Sequence, residues 1–229
     1  MHDLKTKLTH YVKERLFRRR DLSLLGNGSV PDFWDRAHEG SAHLWLTGTD
    51  PQQAISRLGV YDALVDLGDD KTNTRILDVG VGEGRMAKYL KRTDVKHDVL
   101  DVSAKAVQNV SKFSIDGYTS ATELSDDKYG LIMHHLVSQH MSHIDLQDQI
   151  TEFSRSLRSG GILALQYAAT SDLSLFVDDN DETQKVGAVT RNPDWFAVAA
   201  VNASLLVMSD VETDAFGEVR WRVVSMIKP

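Results

Sequence analysis

The sequence predicts an α/β fold: a doubly wound, mostly parallel seven-stranded sheet with its last strand antiparallel, preceded by an N-terminal helical cap. Three observations carry that prediction. Apolar runs of strand length alternate with helical patterns from Arg75 onward. A glycine-rich turn, Gly80-Val81-Gly82-Glu83-Gly84, follows the first of those runs. The last two apolar runs are joined by a link too short for a crossover helix, which implies a hairpin.

The elements follow in order. Residues 3–19 carry Leu4, Leu8, Val12 and Leu16 four apart, the spacing of one helix face. Gly26, Gly28 and Pro31 then interrupt the chain. Residues 32–48 form an aromatic and histidine-rich stretch that includes Trp34, His43 and Trp45. Asp50 and Pro51 read as the N-cap and first position of a helix running to about Leu67. Strands are expected at 75–80, 97–102, about 117–121, 129–135, 162–168, 204–210 and 218–227. Helices are expected at 84–92, 104–113, 144–158 and 193–201. The acidic stretch from Thr170 to Pro193 reads as a long loop, a length that often marks a lid. The chain thus divides into a cap, 1–74, and one compact core, 75–229.

Composition excludes several classes of function. None of the 229 residues is cysteine, so there is no disulfide framework, no cysteine-ligated metal and no thiol nucleophile. The longest apolar stretch, Phe196 to Met208, is too short to span a bilayer. The basic N-terminus is not followed by an apolar segment and cleavage site, so a signal peptide is not expected and a cytoplasmic location is. The net charge of −7 hides an asymmetry, because residues 1–20 hold seven basic and two acidic side chains. The remaining body is strongly acidic, which argues against broad nucleic-acid binding. The basic helix is read as packing on the core or on a second copy in a homodimer, with an anionic partner or surface as the alternative.

The glycine turn narrows the ligand. A dinucleotide site has the spacing G-x-G-x-x-G, with pyrophosphate on the helix N-terminus. Here the spacing is G-x-G-x-G, Asp78 lies two residues before Gly80, and Glu83 lies inside the turn. Two carboxylates repel a pyrophosphate and suit a ligand with a cationic end. Ile76-Leu77-Asp78-Val79-Gly80-Val81-Gly82-Glu83-Gly84 resembles the first motif of the class I S-adenosylmethionine-dependent methyltransferases. The resemblance continues through Asp101, the turn-bearing stretch Tyr129–His140, and Leu157-Arg158-Ser159-Gly160-Gly161, and covers roughly residues 75–229.

It implies S-adenosylmethionine as cofactor. Gly80, Gly82 and Gly84 would shape the loop around its methionine part, Asp78 would lie near its amino group, and Asp101 would accept from the ribose hydroxyls. The family's usual acid after the third strand is replaced by hydroxyl residues at 118–122, leaving Ser120 as the adenine-side candidate. The usual aspartate opening the fourth strand is Gly130.

For the acceptor, His134, His135, His140 and His143 cluster at the end of the fourth strand. Histidine titrates in the range a general base needs. His140 is the first candidate and His135 the second. His140 and His143 have no evident third ligand, so no metal is expected. Trp34, His43, Trp45, Arg191 and Trp195 are the substrate-contact candidates. The expected function is methyl transfer to a small-molecule acceptor, at the oxygen of a sugar, nucleotide-sugar or secondary metabolite. The alternatives are an RNA methyltransferase using the basic helix, or a non-catalytic S-adenosylmethionine-binding protein.

Overall fold

The computed structural model describes residues 29–39, 50–69, 75–93, 95–169, 189–216 and 219–229. The expected helix over 3–19, His43, Trp45 and the acidic run after Thr170 lie outside them.

Helix α1, Val30–Glu39, comes first and is followed by α2, Pro51–Leu58, and α3, Tyr61–Asp69. Asp50 caps α2 as expected, accepting from the Gln52 and Gln53 amides, and Pro51 stands at its start. The single helix expected to reach Leu67 is instead two. Gly59 adopts a left-handed conformation, φ 65°, and its amide closes the end of α2 on Ile55 and Ser56.

From β1, Arg75–Val79, the chain alternates: α4, Arg85–Arg92; β2, His97–Leu100; α5, Ala104–Val110; β3, Gly117–Tyr118; β4, Tyr129–His134; α6, His143–Ser156; and β5, Leu157–Ala169. Then follow α7, Pro193–Asn202, and the pair β6, Leu206–Phe216, and β7, Val219–Ile227. The helix expected to reach residue 158 stops at Ser156, because Leu157 turns to an extended backbone and opens β5.

The seven strands form one sheet in the order β3-β2-β1-β4-β5-β7-β6. The β1, β2, β3, β4 and β5 pairings are parallel, and β7 runs antiparallel to both β5 and β6. Alternation along each strand divides the buried side chains into two layers. One face carries Leu77, Val79, Ile132, Leu163, Leu165 and Val224 against α6 and α7. The other carries Ile76, Leu131, Met133, Ala164 and Val223 against α2, α3 and α4. The expected cap therefore contributes Ile55, Leu58 and Leu64 to the main core.

The amino ends of the strands are tied by an ionic cluster. Asp98 on β2 is fully buried and accepts from Arg75 Nη1 at 2.8 Å and Tyr129 Oη at 2.9 Å, and it pairs with Lys128 Nζ at 2.7 Å. Burial and the neighbouring Asp98 charge raise the Tyr129 pKa, so the phenol stays a donor. Asp98→Ala removes the buried anion, leaves the Tyr129 hydroxyl without its acceptor, and leaves Arg75 and Lys128 to the exposed Asp116 alone. It should cost about 3 kcal/mol of stability, read as a lower urea midpoint.

Candidate active site

The glycine turn sits at the carboxyl end of β1, where open α/β sheets bind ligands. Gly80, Gly82 and Gly84 all have positive φ, between 49° and 72°. At Gly80 the need is also steric: a Cβ there would collide with Cγ2 of Val137. At Gly82 the neighbourhood is open, with only the Gly80 carbonyl within 4 Å of where a Cβ would lie. The loop is therefore closed against the protein on one side and accessible on the other.

Two carboxylates flank it. Asp78 is buried, its Oδ2 has no hydrogen-bond partner, and burial together with the Asp101 charge pushes its pKa up to about 7. Asp101, just past β2, accepts the Gly82 amide on Oδ2 at 3.1 Å and the Ser103 amide on Oδ1 at 2.9 Å. Burial raises its pKa as well, opposed by those amides and by His38.

Helix α1 forms a roof. Asp35 accepts from Ser103 Oγ at 2.6 Å and from the Lys105 amide at 3.1 Å, which fixes α1 to the start of α5. His38 Nδ1 lies 3.5 Å from Glu83 Oε1 inside the glycine turn. Trp34 meets the His140 ring edge-on, with centroids 4.8 Å apart. Roof, glycine turn and histidine turn thus close on one another.

The turn after β4 is unusually determined. Leu136 takes a left-handed conformation, φ 58°, which is uncommon for a side chain of this type. Its carbonyl accepts Gln139 Nε2 at 2.8 Å, and Ser138 Oγ donates to the Gln166 carbonyl at 2.8 Å. Arg191, expected to contact the acceptor, is instead fully buried and holds this turn. Its guanidinium donates to the carbonyls of Ser138 at 2.8 Å, Met141 at 2.7 Å and Ser142 at 3.0 Å. Trp195 packs beside it, 5.5 Å from the guanidinium, and meets the His143 ring edge-on.

The four histidines separate. His134 is wholly buried against Phe153, with Nε2 3.1 Å from Gln149 Oε1, and burial pushes its pKa down to about 4. It is a core residue. His135 points to the opposite face, where burial and then the Arg57 charge push its pKa down to about 4 and its Nε2 has no partner. His140 ends the 3-10 turn Ser138–His140, under Trp34. His143 opens α6. Ser120 lies past β3 and caps the 3-10 turn Ala121–Glu123, accepting the Thr122 amide at 3.3 Å. Among the described residues no cluster of three or more histidine, aspartate or glutamate side chains is arranged to hold a metal. No helix among them is long and apolar enough to cross a membrane.

Sequence reasoning missed Asp35 and Arg57, which act from helices remote in sequence from the motif. It also missed Gln166, hidden within an apolar strand pattern. A polar residue in an otherwise apolar buried strand was the one signal available for Gln166.

A mostly parallel sheet with this order, a glycine loop at the end of β1 and an acid at the end of β2 define a mononucleotide-type ligand site of the doubly wound class. Residues 77–165 match the family model described as Methyltransferase domain. A malonyl-acyl-carrier-protein O-methyltransferase of Enterobacter lignolyticus (strain SCF1) is 28% identical over 117 residues, 49% of this chain and 46% of that protein. The chain therefore spans about half the length of that curated relative. Among solved structures, phosphoethanolamine N-methyltransferase 2 of Haemonchus contortus bound to S-adenosylmethionine superposes with a TM-score of 0.65. It is 14% identical, over 89% of this chain and 61% of that one. A Leishmania major S-adenosylmethionine-dependent methyltransferase gives 0.56 at 14% identity, over 84% and 82% of the two chains. Residues 77–165 thus match a methyltransferase domain, and the chain shares the fold of solved S-adenosylmethionine-dependent methyltransferases.

The site fits that family's cofactor, S-adenosylmethionine. The partnerless Asp78 Oδ2 could serve as a counter-charge for an ammonium group, the open side of Gly82 leaves room for a chain, and Asp101 has further lone pairs for hydroxyl donors. Gly82→Val should abolish S-adenosylhomocysteine binding by calorimetry while far-UV circular dichroism is retained. Because Asp78 ionises near pH 7, its attraction for an ammonium group grows between pH 6 and 8. The wild type should therefore gain affinity for S-adenosylhomocysteine over that range relative to Asp78→Asn. Parallel pH profiles for the two proteins would remove Asp78 from this role.

Proposed function

We propose that the chain transfers a methyl group from S-adenosylmethionine to an oxygen atom of a small-molecule acceptor. The observation that carries this reading is the contact between two turns. Val137, within the histidine-bearing turn after β4, rests against the Cα of Gly80, so acid–base side chains adjoin the glycine cradle. When bound, S-adenosylmethionine would supply a methyl group already activated on a sulfonium, with a neutral thioether as the leaving group. What remains for the protein is positioning and, for a hydroxyl acceptor, removal of a proton.

His140 is assigned as the base, under the roof formed by Trp34. His135 is neutral at pH 7 with a buried, partnerless Nε2. Its low pKa suits it to orienting a hydroxyl, and leaves proton removal to His140. The Enterobacter relative is an O-methyltransferase by name and the Haemonchus protein an N-methyltransferase, so the choice of oxygen rests on the histidine turn.

His140→Ala should lower kcat about a hundredfold, followed as S-adenosylhomocysteine release, with the affinity for that product unchanged. Full activity would transfer the role to His135. Tight cofactor binding with no release across a broad acceptor panel would establish a non-catalytic binding protein instead.

A further inference from the structure

The main chain of the histidine turn is fixed by hydrogen bonds. Arg191 donates to the carbonyls of Ser138, Met141 and Ser142, and the His140 amide donates to the Val137 carbonyl at 2.8 Å. Those bonds set the backbone and leave the two side-chain torsions of His140 to be set by what touches its ring. His140 is half-buried. An imidazole free to change rotamer is aligned with a reacting group only part of the time.

Helix α1 supplies a touching group. Trp34 meets the imidazole with ring centroids 4.8 Å apart and planes at 88°. The indole is braced by its own helix. The buried Phe33 crosses it at 5.2 Å and 88°, and His38, one turn further on, stacks beside it at 6.3 Å and 29°. His38 Nδ1 in turn lies 3.5 Å from Glu83 Oε1 in the glycine turn. Asp35 binds the same stretch of helix to Ser103 and the Lys105 amide. Trp34, Asp35 and His38 thus join one helix to three segments: the histidine turn, the start of α5 and the glycine turn. A hydrogen-bonded helical turn moves as one piece, so seating Asp35 and His38 also seats Trp34. The sequence places Trp34 among the acceptor contacts, and the geometry gives it a partner within the protein.

We propose that Trp34 is the positioning residue of His140: its indole holds the imidazole at the angle that faces the acceptor, and α1 keeps that angle in register with the glycine turn. The proposal rests on the methyl-transfer reading above, with His140 as its base. Trp34 acts through His140 and not on the acceptor itself. Aromatic pairs that cross edge to face have a preferred geometry that an aliphatic side chain lacks, so the position requires a ring.

The test uses the full chain in two arms. In protein with isotope-labelled histidine, saturated with S-adenosylhomocysteine, the His140 Cε1–H signal is identified by its loss in His140→Ala. It should show a nuclear Overhauser contact to an indole proton that is lost in Trp34→Phe. This arm reads the wild type and so decides even where a variant fails to fold. In the second arm, S-adenosylhomocysteine release is followed with the best acceptor from a panel of hydroxylated small molecules. Trp34→Leu should lower kcat about tenfold, with acceptor KM and S-adenosylhomocysteine affinity unchanged. Trp34→Phe should restore most of that loss. In a His140→Ala background, Trp34→Leu should cost nothing further, because the two side chains act as a unit. Full activity of Trp34→Leu, absence of the Overhauser contact, or an additional loss in the His140→Ala background would overturn the proposal. A raised acceptor KM with unchanged kcat would also overturn it and make Trp34 an acceptor contact. No release by the wild type with any acceptor, with the Overhauser contact present, would instead overturn the methyl-transfer reading, and the positioning role with it.

Discussion

The Asp101 carboxylate is the point on which the site is hung. Its two oxygens accept amides from two different turns, Gly82 in the glycine loop and Ser103 at the start of α5. Ser103 passes the connection on to Asp35, and through it to the roof helix α1. One side chain thus fixes the relative position of three segments separated by dozens of residues. A glycine loop has little intrinsic stiffness, since glycine surrenders more backbone freedom on ordering than any other residue. An anchoring carboxylate makes good that deficit. It also explains why the acid is buried despite the cost: its charge is met by oriented backbone dipoles that the fold must provide in any case.

The same sheet treats its buried acids in opposite ways at its two ends. At the amino ends, Asp98 is matched by Arg75, Lys128 and the Tyr129 hydroxyl, and its electrostatic demands are met within the protein. At the carboxyl ends, Asp78 has a burial penalty, a like-charged neighbour and an oxygen without a partner. The first arrangement contributes to folding. The second stores an unfavourable interaction that a cationic ligand would relieve, converting part of the folding free energy into affinity.

Much of this was legible in the sequence, and the reasons are physical. The strand-helix alternation, the closing hairpin, the Asp50-Pro51 helix start and the Gly80–Gly84 turn are local signals, set by periodicity and by backbone conformations few residues tolerate. The break at Gly59 was missed because one left-handed glycine inside an apolar helical period does not disturb the period. Arg191 was misplaced for a different reason. A charged residue at the end of a long loop resembles a surface contact, and nothing local reveals that three carbonyls some fifty residues earlier await it. Likewise His134 and His135 are chemically identical in sequence. Only the pleat separates a core side chain packed on Phe153 from one turned toward Arg57.

The three acceptors of Arg191 are all main-chain oxygens, belonging to Ser138, Met141 and Ser142. These three bonds do not depend on what side chains the gripped segment carries. The shape of the histidine turn is set by that clamp together with the Gln139 and Ser138 side chains. Substitutions at His140 or Met141 can alter what the turn presents to an acceptor while the path of the chain stays fixed. At those two positions the turn is a replaceable tool in a permanent holder, open to a change of acceptor without first rebuilding the scaffold.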